Sequence, residues 1–133
     1  MKRIMGVDIG EKRIGIAVSD PLGITAQGLE TYTRKGNDAE YIARRAREMG
    51  ASLIVAGLPL NMNGSEGPSA KMVREFMGEV SSLGLPVEFI DERLTTVSAE
   101  RILIEADVSR KKRRQVVDKI AAVYILRTYL DRI

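Results

Sequence analysis

The chain has 133 residues, 44% hydrophobic and 29% charged, with a formal net charge of +3, the ordinary balance of a single globular domain spanning 1–133. It contains no cysteine and no histidine, which excludes disulfides, thiolate nucleophiles and imidazole catalysis, so hydrolytic chemistry would rest on carboxylates, hydroxyls, lysine or arginine. No apolar run approaches the roughly 20 residues of a membrane span, and Lys2-Arg3 lead into a strand without a cleavable signal pattern, so a cytoplasmic protein is expected.

Residues 3–9 read as a buried strand, and Arg13 to Ser19 as a second, with Gly10-Glu11-Lys12 as a turn short enough to make them an antiparallel hairpin. Gln27 to Thr33, less apolar, suits an edge strand. Asn37 to Gly50 predicts a helix with Asn37 as N-cap, Glu40 completing a capping box, Gly50 as terminator and Ile42, Ala43, Ala46 and Met49 facing inward. Leu53 to Ala56 is a short apolar strand stopping at Gly57. A polar loop through Asn61 to Pro68 then leads into a helix bearing Met72, Val73, Phe76, Met77, Val80 and Leu83, which Gly84 ends. Val87 to Ile90 is the last strand, a Thr-capped helix is expected to about Ala106, and a final helix runs from the basic segment Arg110-Lys111-Lys112-Arg113-Arg114 through Leu130. The order βββαβαβαα implies an α/β fold: a five-stranded mixed sheet, an antiparallel three-strand meander plus parallel βα units, with helices on both faces.

Asp8 stands out as a carboxylate near the end of an apolar strand, where its charge costs several kcal/mol unless a cation, a metal or backbone donors offset it. Gly6 and Gly10 beside it leave room for another backbone or a phosphate. Segments that follow parallel strands converge at one sheet edge, so Asp8, Gly57 to Asn61, and Asp91-Glu92 should share a crevice. Asp118 lies on the apolar face of the last helix, and Asp8, Asp91 or Glu92, and Asp118 would form a cluster that repels itself unless it holds a divalent cation. Oxygen-only ligands favour a hard ion such as Mg²⁺. Each acid also has a plain structural role available: Asp8 capping the hairpin turn, Asp91 or Glu92 pairing with Arg93, Asp118 on an exposed helix face. Asp20, at the far end of the second strand, is expected to cap the turn at Pro21.

The five cations 110–114 open a helix, where the macrodipole disfavours positive charge, and an anionic phosphodiester backbone nearby would relieve that cost. No aromatic residue interleaves with them, so the run carries no evident stacking platform. Gly64 to Lys71 lacks the Gly-Lys-Ser/Thr ending of a P-loop. Asp8-Ile9-Gly10 is also similar to the first phosphate loop of actin-like ATPases, but Lys12 stands where those carry Ser or Thr, and they close two domains on a nucleotide.

Val7 to Asp20, Gly57-Leu58-Pro59-Leu60, Asp91-Glu92-Arg93-Leu94-Thr95-Thr96 and Asp118-Lys119-Ile120-Ala121-Ala122, in that order, resemble the YqgF family, also called RuvX. The resemblance spans essentially the whole chain. It implies a ribonuclease H-like fold akin to Holliday junction resolvases, and the family's bacterial members are described as nucleases that process the 5′ end of pre-16S rRNA. It further implies that Asp8, an acid of the Asp91-Glu92 pair, and Asp118 form the acidic site, the choice between Asp91 and Glu92 staying open because neighbours on an extended segment point opposite ways. The expected enzyme is a metal-dependent nuclease in which Asp8, Asp91 and Asp118 hold two Mg²⁺ or Mn²⁺ ions, with Glu92 as the other candidate acid. Lys12, Arg13, Arg93, Thr95, Thr96 and the run Arg110, Lys111, Lys112, Arg113, Arg114 would bind the nucleic acid. The expected partner is structured nucleic acid, an rRNA precursor ahead of branched DNA, with a ribosomal particle as a further candidate. The competing class is a binding module, a ribosome-assembly factor on the same fold with weak or no catalysis.

Overall fold

A computed structural model describes residues 2–94 and 110–133, with Leu94 and the last helix up to residue 115 described by their backbone alone. Strands β1 (Arg3–Ile9), β2 (Arg13–Ser19), β3 (Ala26–Thr33), β4 (Ala51–Leu58) and β5 (Val87–Asp91) form one sheet in the order β3-β2-β1-β4-β5. The first three pair antiparallel as a meander, and β4 and β5 add in parallel on the other side of β1. Helix α1 (Asp38–Glu48) connects β3 to β4, α2 (Pro68–Ser82) connects β4 to β5, and α3 (Arg110–Leu130) closes the chain. The helix expected to about Ala106, with Thr95 and Thr96 at its start, lies outside the described residues.

Alternation along the strands divides two cores. Met5, Val7, Ile9, Ile14, Ile16 and Ile54 pack with Ile42, Phe76 and Met77 under α1 and α2. On the opposite face, Ala17, Ala122 and Leu126 form one cluster and Val55, Ile90, Ala121 and Ile125 another, both beneath α3. Burial on both faces explains why β1 reads as an almost continuous apolar run. Helix α3 can lie this close because the sheet beneath it lacks side chains at critical points. A Cβ on Gly6 would come within 2.7 Å of the Leu126 Cβ, and one on Gly15 within 1.8 Å of the Asp118 carbonyl oxygen. Gly6 therefore admits backbone, and Gly10 sits against the Arg13 carbonyl, to which its N–H donates at 2.9 Å. At both positions it is another backbone that the missing side chain admits.

Two local expectations are corrected. Asn37 occupies the N-cap of α1 but makes no capping bond through its side chain. The buried Asp38 carboxylate takes over the corner, accepting from the Lys35 and Gly36 N–H groups at 2.8 and 3.2 Å, the Tyr32 hydroxyl at 2.9 Å and Arg34 Nε at 2.9 Å. Strand β4 does not stop at Gly57 but continues to Leu58, because Gly57 and Leu58 pair with Ile90 and Asp91 of β5. Asp20 does cap its turn, accepting from the Ile24 and Thr25 N–H groups at 2.7 and 3.1 Å. Among the described residues no helix is long and apolar enough to cross a membrane.

Candidate active site

Asp8 is the penultimate residue of β1. Its neighbours Val7 and Ile9 face α1 and α2, so the carboxylate emerges on the α3 face at 9% exposure. Its partner across the hairpin is Gly15. Because Gly15 has no side chain, the backbone of α3 descends onto the sheet there at Asp118. The same missing Cβ thus brings a residue of α3 to the end of β1.

The third acid is placed by the end of β5. Phe89 packs toward the α1 and α2 core and Ile90 toward α3, so alternation sends Asp91 to the α2 side. The chain then tightens into a short 3₁₀ turn, Glu92–Leu94, which returns Glu92 to the α3 face directly over Gly57. A Cβ at Gly57 would lie 2.6 Å from Glu92 Oε1 and 2.6 Å from Ile125 Cδ1. A cleft of about 310 Å³ results, lined by Asp8, Glu92 and Asp118 together with Glu11, Pro59 and Ser69. Asp91 is not among its lining residues.

Asp91 instead grips Arg93. Its carboxylate accepts from Arg93 Nη2 at 2.7 Å, Nε at 3.1 Å and the Arg93 backbone N–H at 2.9 Å. The guanidinium holds this carboxyl below the usual carboxylate range and is itself pushed up by the pairing. Arg93 Nη1 also donates to the Met62 carbonyl at 3.0 Å, so the pair anchors the 61–67 loop. That loop is closed by its own bonds, Asn61 N–H to the Ser65 carbonyl at 2.9 Å and Gly64 N–H to the Asn61 carbonyl at 2.8 Å. Arg93, read from the sequence as a nucleic-acid ligand, thus has a structural task, tying the end of β5 to the 61–67 loop.

Arg13 Nε donates to Asp118 Oδ2 at 2.8 Å. With Lys12, Gly10, Glu11 and Asp118 it lines an adjoining cleft of about 290 Å³ at the hairpin tip. As the side chains stand, no three acidic groups among the described residues are close enough to share one ion. Asp118 is neutralised by an arginine. The side-chain donors of the cleft are nonetheless all oxygen, the carboxylates of Asp8, Glu11, Glu92 and Asp118 and the Ser69 hydroxyl, which suits a hard divalent cation better than a softer metal. Residues 110–114 form the first turns of α3 on the helix that carries Asp118, whose position lies about 12 Å along the axis from Arg110 at the usual rise per residue. Nothing in the local sequence marks Arg13 as the partner of Asp118, and the one trace of that contact is the glycine at position 15.

A family model described as RuvX, Holliday junction resolvase, matches residues 2–132. A relative from Moorella thermoacetica is 56% identical over 98% of this chain and 96% of its own length. One from Syntrophomonas wolfei is 55% identical over 97% and 94%, and one from Clostridium perfringens is 54% identical over 98% of each. All three carry the name "putative pre-16S rRNA nuclease". Among solved structures, Thermus thermophilus RuvC in complex with a Holliday junction substrate superimposes with a TM-score of 0.59 at 14% identity, covering 99% of this chain and 96% of that one. The fowlpox virus Holliday junction resolvase gives 0.56 at 16%, covering 98% of both. The mixed sheet and its helical layers are therefore the ribonuclease H-like fold of the RuvC-type resolvases, and over nearly its whole length the chain belongs to the RuvX family.

Proposed function

We propose that residues 1–133 act as one domain, a metal-dependent nuclease that hydrolyses phosphodiester bonds in structured nucleic acid, with 5′-end processing of pre-16S rRNA in the cytoplasm as its reaction. The observation that carries this reading is the carboxylate Asp8, nearly buried at the end of β1 and sharing one cleft with Glu92 and Asp118, in a chain without histidine or cysteine. The names of the curated relatives supply the RNA substrate.

The residues that would hold Mg²⁺ or Mn²⁺ are Asp8, Glu92 and Asp118, with Glu92 and not Asp91 lining the cleft where the sequence left the two open. When bound, the metal activates the attacking water and stabilises charge on the phosphate. The rest of the work belongs to the chain. Asp8 is held rigidly by β1, so its orientation costs little reorganisation. Arg13 keeps Asp118 neutralised in the absence of substrate and is close enough to the cleft to meet a phosphate oxygen. Lys12 at the hairpin tip, and the cationic start of α3, neutralise the backbone that enters the cleft. Arg93 steadies the 61–67 loop and joins the nucleic-acid-binding set with them. Thr95 and Thr96 belong to this phosphate-binding set as well, on the strength of the motif that contains them.

A labelled pre-16S 5′-leader fragment incubated with and without Mg²⁺ or Mn²⁺ tests the reading. Cleavage that requires the metal and vanishes in Asp8→Asn is the expected result. The ion pair between Arg13 and Asp118 favours a second reading, an rRNA-binding assembly factor with little catalysis, and binding without cleavage in any metal would establish it. A four-way DNA junction run in parallel distinguishes the two substrates within the nuclease class.

A further inference from the structure

A stacking platform absent from the basic run is assembled elsewhere, from β3 and α1. The rings of Tyr32 and Tyr41 stack with centroids 3.9 Å apart and planes within 10°. Both hydroxyls are tied down, Tyr32 to Asp38 at 2.9 Å and Tyr41 to Glu30 at 2.6 Å, and Glu30 also accepts from Arg45 Nε at 3.0 Å. The pair is thus fixed before any ligand arrives. Arg44 lies over the Tyr41 ring at 5.2 Å, and its exposed guanidinium presents a second flat surface. These groups border a cleft of about 380 Å³ that also receives Lys35, Asn37 and Glu40.

The lining has the composition of a nucleotide site. Lys35 and Arg44 outnumber the single carboxylate, Glu40, so the cleft tolerates a phosphate. Asn37 makes no capping bond to α1 through its side chain, and its amide offers a donor and an acceptor to a base edge. The flat arginine-on-tyrosine surface suits an unstacked base. Position supports the same ligand. Arg34, adjacent to Lys35, donates its N–H to the Lys12 carbonyl at 2.9 Å and Nη1 to the Gly10 carbonyl at 3.0 Å. The cleft therefore borders the hairpin tip whose opposite side faces Asp118 and Asp8.

We infer that this cleft is a second nucleic-acid subsite, which holds one unpaired nucleotide of a strand that leaves the Asp8 cleft across the Gly10–Lys12 hairpin, its base on the Arg44 guanidinium that caps the tyrosine stack and its phosphate at Lys35. The inference rests on the nuclease reading and names the substrate feature that reading leaves open, a single-stranded extension beside the cut. An unpaired base is a natural ligand for a site that is flat and cationic, since a duplex keeps its bases stacked on one another.

The test uses Asp8→Asn protein in Mg²⁺ and two labelled RNAs, a blunt hairpin and the same hairpin with a short unpaired extension, followed by fluorescence anisotropy. The extended RNA is expected to bind more tightly. Lys35→Ala with Arg44→Ala, both at exposed positions, is expected to weaken the extended RNA by roughly tenfold, the scale of losing one stacked base, and to leave the blunt one unchanged. Circular dichroism and the unchanged blunt-hairpin affinity exclude misfolding. Equal losses on both RNAs, or none on either, overturn the subsite while leaving the nuclease reading in place. Failure of the unmutated cleft to bind either RNA overturns both.

Discussion

The Arg13 guanidinium lies 2.8 Å from the Asp118 carboxylate, a bond between residues 105 positions apart that ties β2 to α3 at the edge of the Asp8 cleft. A cation there opposes a divalent ion that approaches the same carboxylate. Arg13→Gln is therefore expected to raise Mn²⁺ affinity several-fold, read by electron paramagnetic resonance titration, while cleavage of RNA falls because a phosphate contact is lost. An unchanged Mn²⁺ affinity would remove Asp118 from the ligand set.

The descent of α3 onto the sheet depends on Gly15. A Cβ there meets the Asp118 carbonyl oxygen at 1.8 Å, and a backbone atom inside a packed helix has no rotamer by which to move aside. Gly15→Ala should destabilise the fold by more than about 3 kcal/mol in urea denaturation, the scale of severe overpacking. Gly78 is the control: it lies in α2 with nothing near its absent Cβ, so Gly78→Ala should stabilise by about 0.5–1 kcal/mol. A Gly15→Ala protein as stable as the parent would mean that α3 does not rest on β2 at this point.

What was legible in the chain follows from how local each signal is. The β1–β2 hairpin and its bounds follow from apolar residues bracketing a three-residue turn, and the edge position of β3 from its polarity, all within a few residues of each other. Gly57 was misread as a terminator because glycine usually weakens a strand. Here it is kept in β4 by pairing with Ile90 of β5, and the space a side chain would need is taken by Glu92 and Ile125, all more than thirty residues away. Asp91 and Glu92 could not be separated without knowing that β5 ends at Asp91 and tightens into a 3₁₀ turn. Tyr32 and Tyr41 carry no mutual signal, since one is on a strand and the other on a helix, and their stacking depends on how α1 lies over the sheet.

The alternation of β5 makes opposite predictions for two adjacent acids. Glu92→Gln removes a carboxylate from the cleft and is expected to lower metal-dependent cleavage by at least about a hundredfold, with weaker Mn²⁺ binding. Asp91→Asn should leave Mn²⁺ affinity intact and release Arg93, so that amides 61–64 exchange faster with deuterium. Loss of Mn²⁺ binding in Asp91→Asn, with Glu92→Gln unaffected, would reverse the assignment.

Asp38 is expected to contribute to the acid sensitivity of the fold. Burial by itself would raise its carboxyl, but the Lys35 N–H, Arg34, Tyr32 and Gly36 N–H outweigh that cost and hold it at about 2 instead of its ordinary 3.8. A depressed carboxyl stabilises the folded state fully above its unfolded value and ceases to do so as pH falls through the folded value. The window is therefore from about pH 4 down to about pH 2, and the lowering corresponds to a contribution on the order of 2 kcal/mol at neutral pH. Asp38→Asn should lose much of this at pH 7, and the stability difference between parent and variant in urea denaturation should shrink toward pH 2. Because other carboxylates titrate over the same range, the difference between the two proteins is the quantity that reports on Asp38. A gap that stays constant from pH 7 to pH 2 would show that the Asp38 bonds act through geometry alone, with no contribution from its charge.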